Sequence, residues 1–299
     1  MFPTPIQNYS LTTNIIYRIL LGVTLFIWLL PLIAVMLTSI RTFEDILVGD
    51  YWSWPEETAI ISNYTAIFES GKMSRFFLNS VIITLPTVFG TLFLSSMAGY
   101  SLAVHKFKLN LLLFCMFIAG NFVPFQILMI PVRMLTIDLG IYNSHFGLII
   151  FHIAFQTGFC TFFLRNFIKE LPFELIEAAR ADGASEWLIY RKIILPLLTP
   201  SLAALGVLEF TFIWNDYFWA LILTQGDNVK PITIGLDMLR GQWVATYNLI
   251  AAGSVLAALP PVIMFFAMQR HFIMGLTFGA VKGKLVAFEL LKYKRIQCL

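Results

Sequence analysis

Charge is scarce in this 299-residue chain: 12% of its residues are Asp, Glu, Lys or Arg, against 59% hydrophobic, and its mean hydropathy is +0.80. Soluble domains run at about 25% charged and about 45–50% apolar, so a water-soluble globular chain is excluded. Disorder is excluded by the same balance, because it requires low hydrophobicity and high charge. A net charge of +3, with no continuous basic stripe, gives no reason to expect a nucleic-acid partner.

Chemistry-bearing constellations are scarce too. There are three cysteines, Cys115, Cys160 and Cys298. The first two lie in apolar runs, where a thiol packs as a small hydrophobe, and no C-x-x-C suggests a metal or redox site. His105, His145, His152 and His271 are scattered without metal-ligand spacing. No catalytic serine–histidine–acid set is evident, so a membrane-embedded enzyme lacks its constellation. No G-x-x-x-x-G-K-[ST] occurs either; Gly71-Lys72 and Gly283-Lys284 lack the rest of the phosphate loop. The chain is therefore expected to be non-catalytic and to bind no cofactor or metal.

What the chain does have is long apolar runs. A helix needs about 20 apolar residues to cross the hydrocarbon core, and six candidates emerge: Ile15–Leu37, Phe76–Val104, Leu109–Pro131, Phe146–Phe167, Leu198–Leu223 and Tyr247–Ile273. The expected class is all-α, a polytopic membrane protein with six transmembrane helices. The first run has no A-x-A cleavage pattern and reads as a retained span. Pro31, Pro86, Pro124 and the pair Pro260–Pro261 fall inside these runs, where neighbouring groups can satisfy the freed carbonyls. With the N-terminus inside, 14 of the 20 Lys and Arg residues fall on the inner side, which places both termini in the cytoplasm.

The outer connection Ser39–Arg75 is long and holds six acidic residues with Trp52 and Trp54. It reads either as a solvated cap with interfacial aromatics or as a docking surface for an outside partner. The inner connection between spans four and five, 168–197, reads IKELPFELIEAARADGASEWLIYRKIILPL. Pro172 can open a helix, with Glu174 and Glu177 favouring its first turns. Gly183 can end it in the left-handed region, and a second helix, Glu186–Ile194, is expected to run until Pro196.

In this connection Glu177-Ala178-Ala179, then Gly183, then Ile193-x-Leu195-Pro196 resembles the EAA loop of bacterial ABC importer permeases. Asn79-Ser80, Ala98-Gly99-Tyr100-Ser101-Leu102-Ala103, Trp214-Asn215-Asp216-Tyr217 and the segment Gln269–Gly283 resemble the carbohydrate branch, of the maltose permease MalG type. The resemblance covers Ile15–Gly283. It implies one transmembrane domain over residues 1–283, followed by a basic tail, 284–299, which can lie on membrane lipid or be a remnant without a role. It also implies a bacterial cytoplasmic membrane location. The implied partners are a second permease subunit, by resemblance a different chain, a dimer of ATP-binding subunits carrying ATP and magnesium, and an extracytoplasmic solute-binding protein. Glu177, Ala178, Ala179, Asp182 and Gly183 would then dock the ATPase.

Span five carries Glu209 and Asp216, seven residues apart, which on one continuous helix share a face. Ionisable groups inside a span are costly and default to functional candidates. Glu209, Asn215 and Asp216, with Trp214 and Tyr217 for sugar C–H packing, are the pathway candidates. Asn215 and Asp216 can equally brace a neighbouring helix. In the loop between spans five and six, the resemblance to the maltose-type subunit makes Gln242 and Trp243 candidates for contact with the binding protein; Trp243 can equally be an interfacial anchor. The expected function is the permease subunit of an ATP-driven, binding-protein-dependent importer of a sugar or oligosaccharide. The alternative is an ion-coupled secondary carrier using Glu209 and Asp216, although no internal repeat of the kind found in such carriers is apparent.

Overall fold

The computed structural model describes residues 10–49, 52–55, 57–69, 72–240 and 246–278. Gln242, Trp243 and the tail 284–299 lie outside the described residues. Among those described, the fold is all-α apart from one isolated bridge between Arg41 and Thr58.

The helices are α1 (Leu11–Ser39), α2 (Phe43–Leu47), α3 (Ile60–Glu69), α4 (Met73–Val104), α5 (Asn110–Ala119), α6 (Met129–Asp138) and α7 (His145–Lys169). They continue as α8 (Glu174–Ala181), α9 (Glu186–Ile189), α10 (Leu195–Leu197), α11 (Thr199–Trp214), α12 (Phe218–Leu223), α13 (Ile232–Met238) and α14 (Tyr247–Phe278). Among the described residues four segments, Leu11–Ser39, Met73–Val104, His145–Lys169 and Tyr247–Gln269, are each long and apolar enough to span. Two bent pairs, Asn110–Phe122 with Phe125–Asp138 and Glu186–Leu197 with Thr199–Trp214, bring the count to six if each is one span. Pro31, Pro86, Pro260 and Pro261 all stay inside helices.

The chain divides into two compact units. One holds residues up to 73 together with 235–258. Its centre is polar: the buried Asn63 side chain donates to the carbonyls of Ser39 and Arg41, 2.9 Å each, and accepts from Asn248 at 2.9 Å. Fully buried Arg41 pairs with Asp45 at 2.8 Å and also donates to the Ser53 carbonyl. Over its described residues the connection between α1 and α4 is thus a folded element in which one of its acids, Asp45, neutralises an internal arginine.

The second unit holds residues 74–234 and 259 onward. One apolar cluster joins Tyr100, Leu164, Ile168, Ile176, Ile189, Ile194 and Leu205, tying the connection after α7 to α4, α7 and α11. Close helix approach rests on small residues, as it does inside membranes: a Cβ on Gly99 would stand 3.1 Å from the Arg165 nitrogen.

Two expected spans are not continuous helices. Span three bends by 91° between its two halves. Val123 is extended, with ψ at 120°, because the proline that follows it disfavours the α region. Span five was expected to be one helix over Leu198–Leu223, but α11 ends at Trp214. Asn215 turns its amide back onto the Thr211 carbonyl at 2.9 Å, and Asp216 accepts from the backbone of Trp219 and Ala220, starting α12 afresh. Glu209 and Asp216 therefore do not share a helical face.

The second loop helix also differs from expectation. It does not stop at Pro196 but passes through a π turn, Tyr190–Ile194, into α10, and bends by 71° before α11. The Leu195 N–H bonds back to Tyr190. This wider i→i+5 turn comes immediately before the proline, which has no N–H to give and whose ring crowds an α turn.

Candidate coupling loop and helix breaks

The connection from α7 to α11 is built by two end signals. α8 finishes at Ala181, Asp182 follows, and Gly183 takes φ +80°. Gly183 N–H bonds to the Arg180 carbonyl and Ala184 N–H to the Ala179 carbonyl, each at 3.0 Å, which is the paired pattern that satisfies a helix's last carbonyls. Ser185 then caps α9 by accepting from Leu188 N–H at 3.3 Å. One side chain of α8, Ile176, is buried in the apolar cluster. Glu177, Ala178, Ala181, Asp182 and Gly183 are exposed, and Ala179 is half-buried. Of the five sequence-derived docking residues, four thus lie on open surface around one helix end.

Glu186, singled out in the sequence only as a helix start, is the electrostatic centre of this loop. Its two carboxylate oxygens accept from Arg180 Nε at 2.7 Å and Tyr100 Oη at 2.6 Å, with His105 Nε2 at 3.2 Å. The Arg180 bond above all, then the Tyr100 hydroxyl and the nearby charges of Arg180 and His105, holds the Glu186 carboxyl down at about 2 although burial pushes it the other way. Arg180 is raised in turn, chiefly by its bond to Glu186.

The pathway candidates separate into two groups. Glu209 is wholly buried: one oxygen lies 3.1 Å from Cys160 Sγ, and the other has no partner among the described residues. Trp214 is buried, stacked on Phe210 at 5.5 Å and edge-on to Phe77 at 5.3 Å. Asp216 caps α12, and His152 Nε2 stands 3.4 Å from the same carboxylate. Asn215 and Tyr217, by contrast, are exposed.

Sequence reading missed that the two breaks meet. Phe125, beside the break of span three, packs edge-on against Phe218 of α12 at 5.0 Å. Asn121 and Gln126 are exposed on one side of this contact, Asn215 and Tyr217 on the other. Non-helical backbone at membrane depth is tolerated only where it is buried in protein or lines water. The signals available were Pro124 and the run Trp214-Asn215-Asp216, but neither tells a kink from a break.

Residues 91–276 match the family model described as binding-protein-dependent transport system inner membrane component. The chain belongs to this family. It is 36% identical to the arabinooligosaccharides transport system permease protein AraQ of Halalkalibacterium halodurans over 282 residues, 94% of this chain and 98% of that one. It is 33% identical to the lactose transport system permease protein LacG of Rhizobium radiobacter, over 90% of this chain and 96% of that one. Among solved structures it resembles a chain of a bacterial ABC transporter involved in the import of the acidic polysaccharide alginate, with a TM-score of 0.76. That likeness, at 23% identity and covering 90% of this chain and all of the other, is one of fold. Family membership makes the chain a multi-pass component of the inner membrane.

Proposed function

We propose that this chain is the transmembrane permease subunit of an ATP-driven, binding-protein-dependent importer for a sugar or oligosaccharide. The observation that carries the reading is the helix end at Gly183, which leaves Glu177, Ala178 and Asp182 on open surface in a chain of this family. Small side chains let another surface approach closely, while charges at the rim fix its register. The loop and both termini are read as cytoplasmic. ATP and magnesium are read as belonging to a dimer of ATP-binding subunits docked on the loop. The chain itself supplies no catalytic group.

Two relatives are named for arabinooligosaccharide and lactose transport, which supports a carbohydrate cargo, and the binding-protein-dependent description of the family supports an extracytoplasmic solute-binding protein; a second permease subunit is read as completing the pathway. Asn121, Gln126, Asn215 and Tyr217 offer the amides and ring that sugar hydroxyls and C–H faces need, and we assign the pathway surface to them. Glu209, Trp214 and Asp216 are assigned to holding that surface in place, since all three are turned into the protein's own packing. Asp216 already serves two backbone N–H groups and His152, which weighs against its use as an ion site in the secondary-carrier reading. Gln242 and Trp243 remain the proposed contacts for the binding protein.

The test is to substitute Glu177→Ala and measure retention of the ATPase and uptake of labelled arabinotriose and lactose in vesicles. Loss of both with membrane insertion intact is expected. An unmutated chain that retains no ATPase would overturn the importer reading.

A further inference from the structure

Two stretches distant in sequence, the coupling loop and the end of α4, meet at the Glu186 carboxylate. Arg180 comes from the docking helix α8, Tyr100 from the end of α4, and His105 from the turn after α4. We propose that Glu186 is a positioning residue through which motion of α8 is delivered to α4, and that Tyr100 is its receiving contact. The proposal rests on the importer reading above.

The geometry favours transmission over mere stapling. Arg180 and Glu186 side chains are 35% and 44% exposed, and ion pairs in such wet surroundings add little stability. Their bonds are nevertheless short and charge-assisted, which fixes direction. The grip on α4 is doubled. Tyr190, in the π turn after α9, pairs its hydroxyl with Ser96 at 2.7 Å. Ser96 and Tyr100 are four residues apart and so lie on one face of α4. The Tyr100 ring sits edge-on to His105 and 5.6 Å from Tyr190, so the two grips touch each other. Directly beside them, Gly99 brings α4 against the α7 backbone. Displacement of α8 therefore reaches α4 through polar contacts at two levels, and α4 cannot yield without α7.

The experiment uses the whole complex in lipid nanodiscs and needs no solute. Hydrogen–deuterium exchange is followed with and without ATP and vanadate in the parent, Tyr100→Phe and Glu186→Gln. Tyr100→Phe keeps the ring and removes one hydroxyl; Glu186→Gln keeps the shape and removes the charge. In the parent, exchange should change in α8, in residues 96–105 and at the break around residues 120–126. In both variants the change in α8 should persist, with ATP hydrolysis, while the change in the other two segments is lost. A full response at those segments in the variants would overturn the joint and leave the importer reading standing. No response of α8 in the parent would overturn both.

Discussion

Gly158 of α7 sits so close to Phe117 of α5 that a Cβ there would stand 2.5 Å from the Phe117 carbonyl oxygen and 3.0 Å from Asn121 Nδ2. This is backbone, not the tip of a flexible side chain, so α5 would have to move. Gly158→Ala is expected to cost about 1–3 kcal/mol, the usual toll of overpacking, and to displace the break of span three. Thermal unfolding in detergent checks this. An unchanged melting temperature would mean that α5 retreats freely and that the break is not held by α7.

Asp216 is a cap first. Its two oxygens take Trp219 N–H at 3.2 Å and Ala220 N–H at 3.0 Å. Asp216→Ala should destabilise by about 1 kcal/mol, as for other N-terminal caps, while Asp216→Asn, which keeps one acceptor oxygen, should cost less. Melting curves of the two variants, with KM for uptake alongside, test the assignment. A raised KM with an unaltered melting temperature would return Asp216 to the pathway.

Glu209 makes the opposite case. One carboxyl oxygen is buried without a partner among the described residues, and exchanging such a group for an apolar one of like size is often neutral or stabilising. Glu209→Met should leave the melting temperature unchanged or raise it, by up to about 1 kcal/mol of stability, with uptake retained. Abolished uptake in a well-folded variant would show that the carboxyl meets the solute.

These assignments mark where the sequence was legible. Six apolar runs, the two-helix form of the loop after α7 and the left-handed turn at Gly183 were readable, because span length, loop spacing and glycine's freedom at positive φ are local properties. The breaks were not. Asn215 and Asp216 suit a helix cap and a pathway equally well, and the choice was made by Trp219 and Ala220, whose N–H groups a continuous helix would have used elsewhere. Glu186 was invisible as a hub for a different reason: its partners Tyr100 and His105 lie more than 80 positions away, and no pattern within the loop points to them.

The Glu186 carboxyl carries a pH signature of defined sign. Folding lowers it from the ordinary 4.5 to about 2. Its contribution is thus fully present above about 4.5 and is lost as pH falls toward about 2. The stability gap between parent and Glu186→Gln should therefore narrow as pH falls below about 4.5. Melting temperatures of the two proteins across that range provide the check; a gap that stays constant below about pH 4.5 would assign the effect to another group.

Gly183 closes α8 with φ at +80°. Nothing lies within 4 Å of where its Cβ would be, so any penalty for a side chain there is conformational and not steric. Left-handed backbone costs an L-residue roughly 1–2 kcal/mol, and asparagine tolerates it far better than alanine. Gly183→Ala should unwind the end of α8 and release the ATPase on purification, whereas Gly183→Asn should retain most of it. Co-purification yields of the two variants decide the matter. Equal retention would mean that docking does not depend on this turn, and would move the weight of the contact to Glu177 and Ala178 earlier in α8.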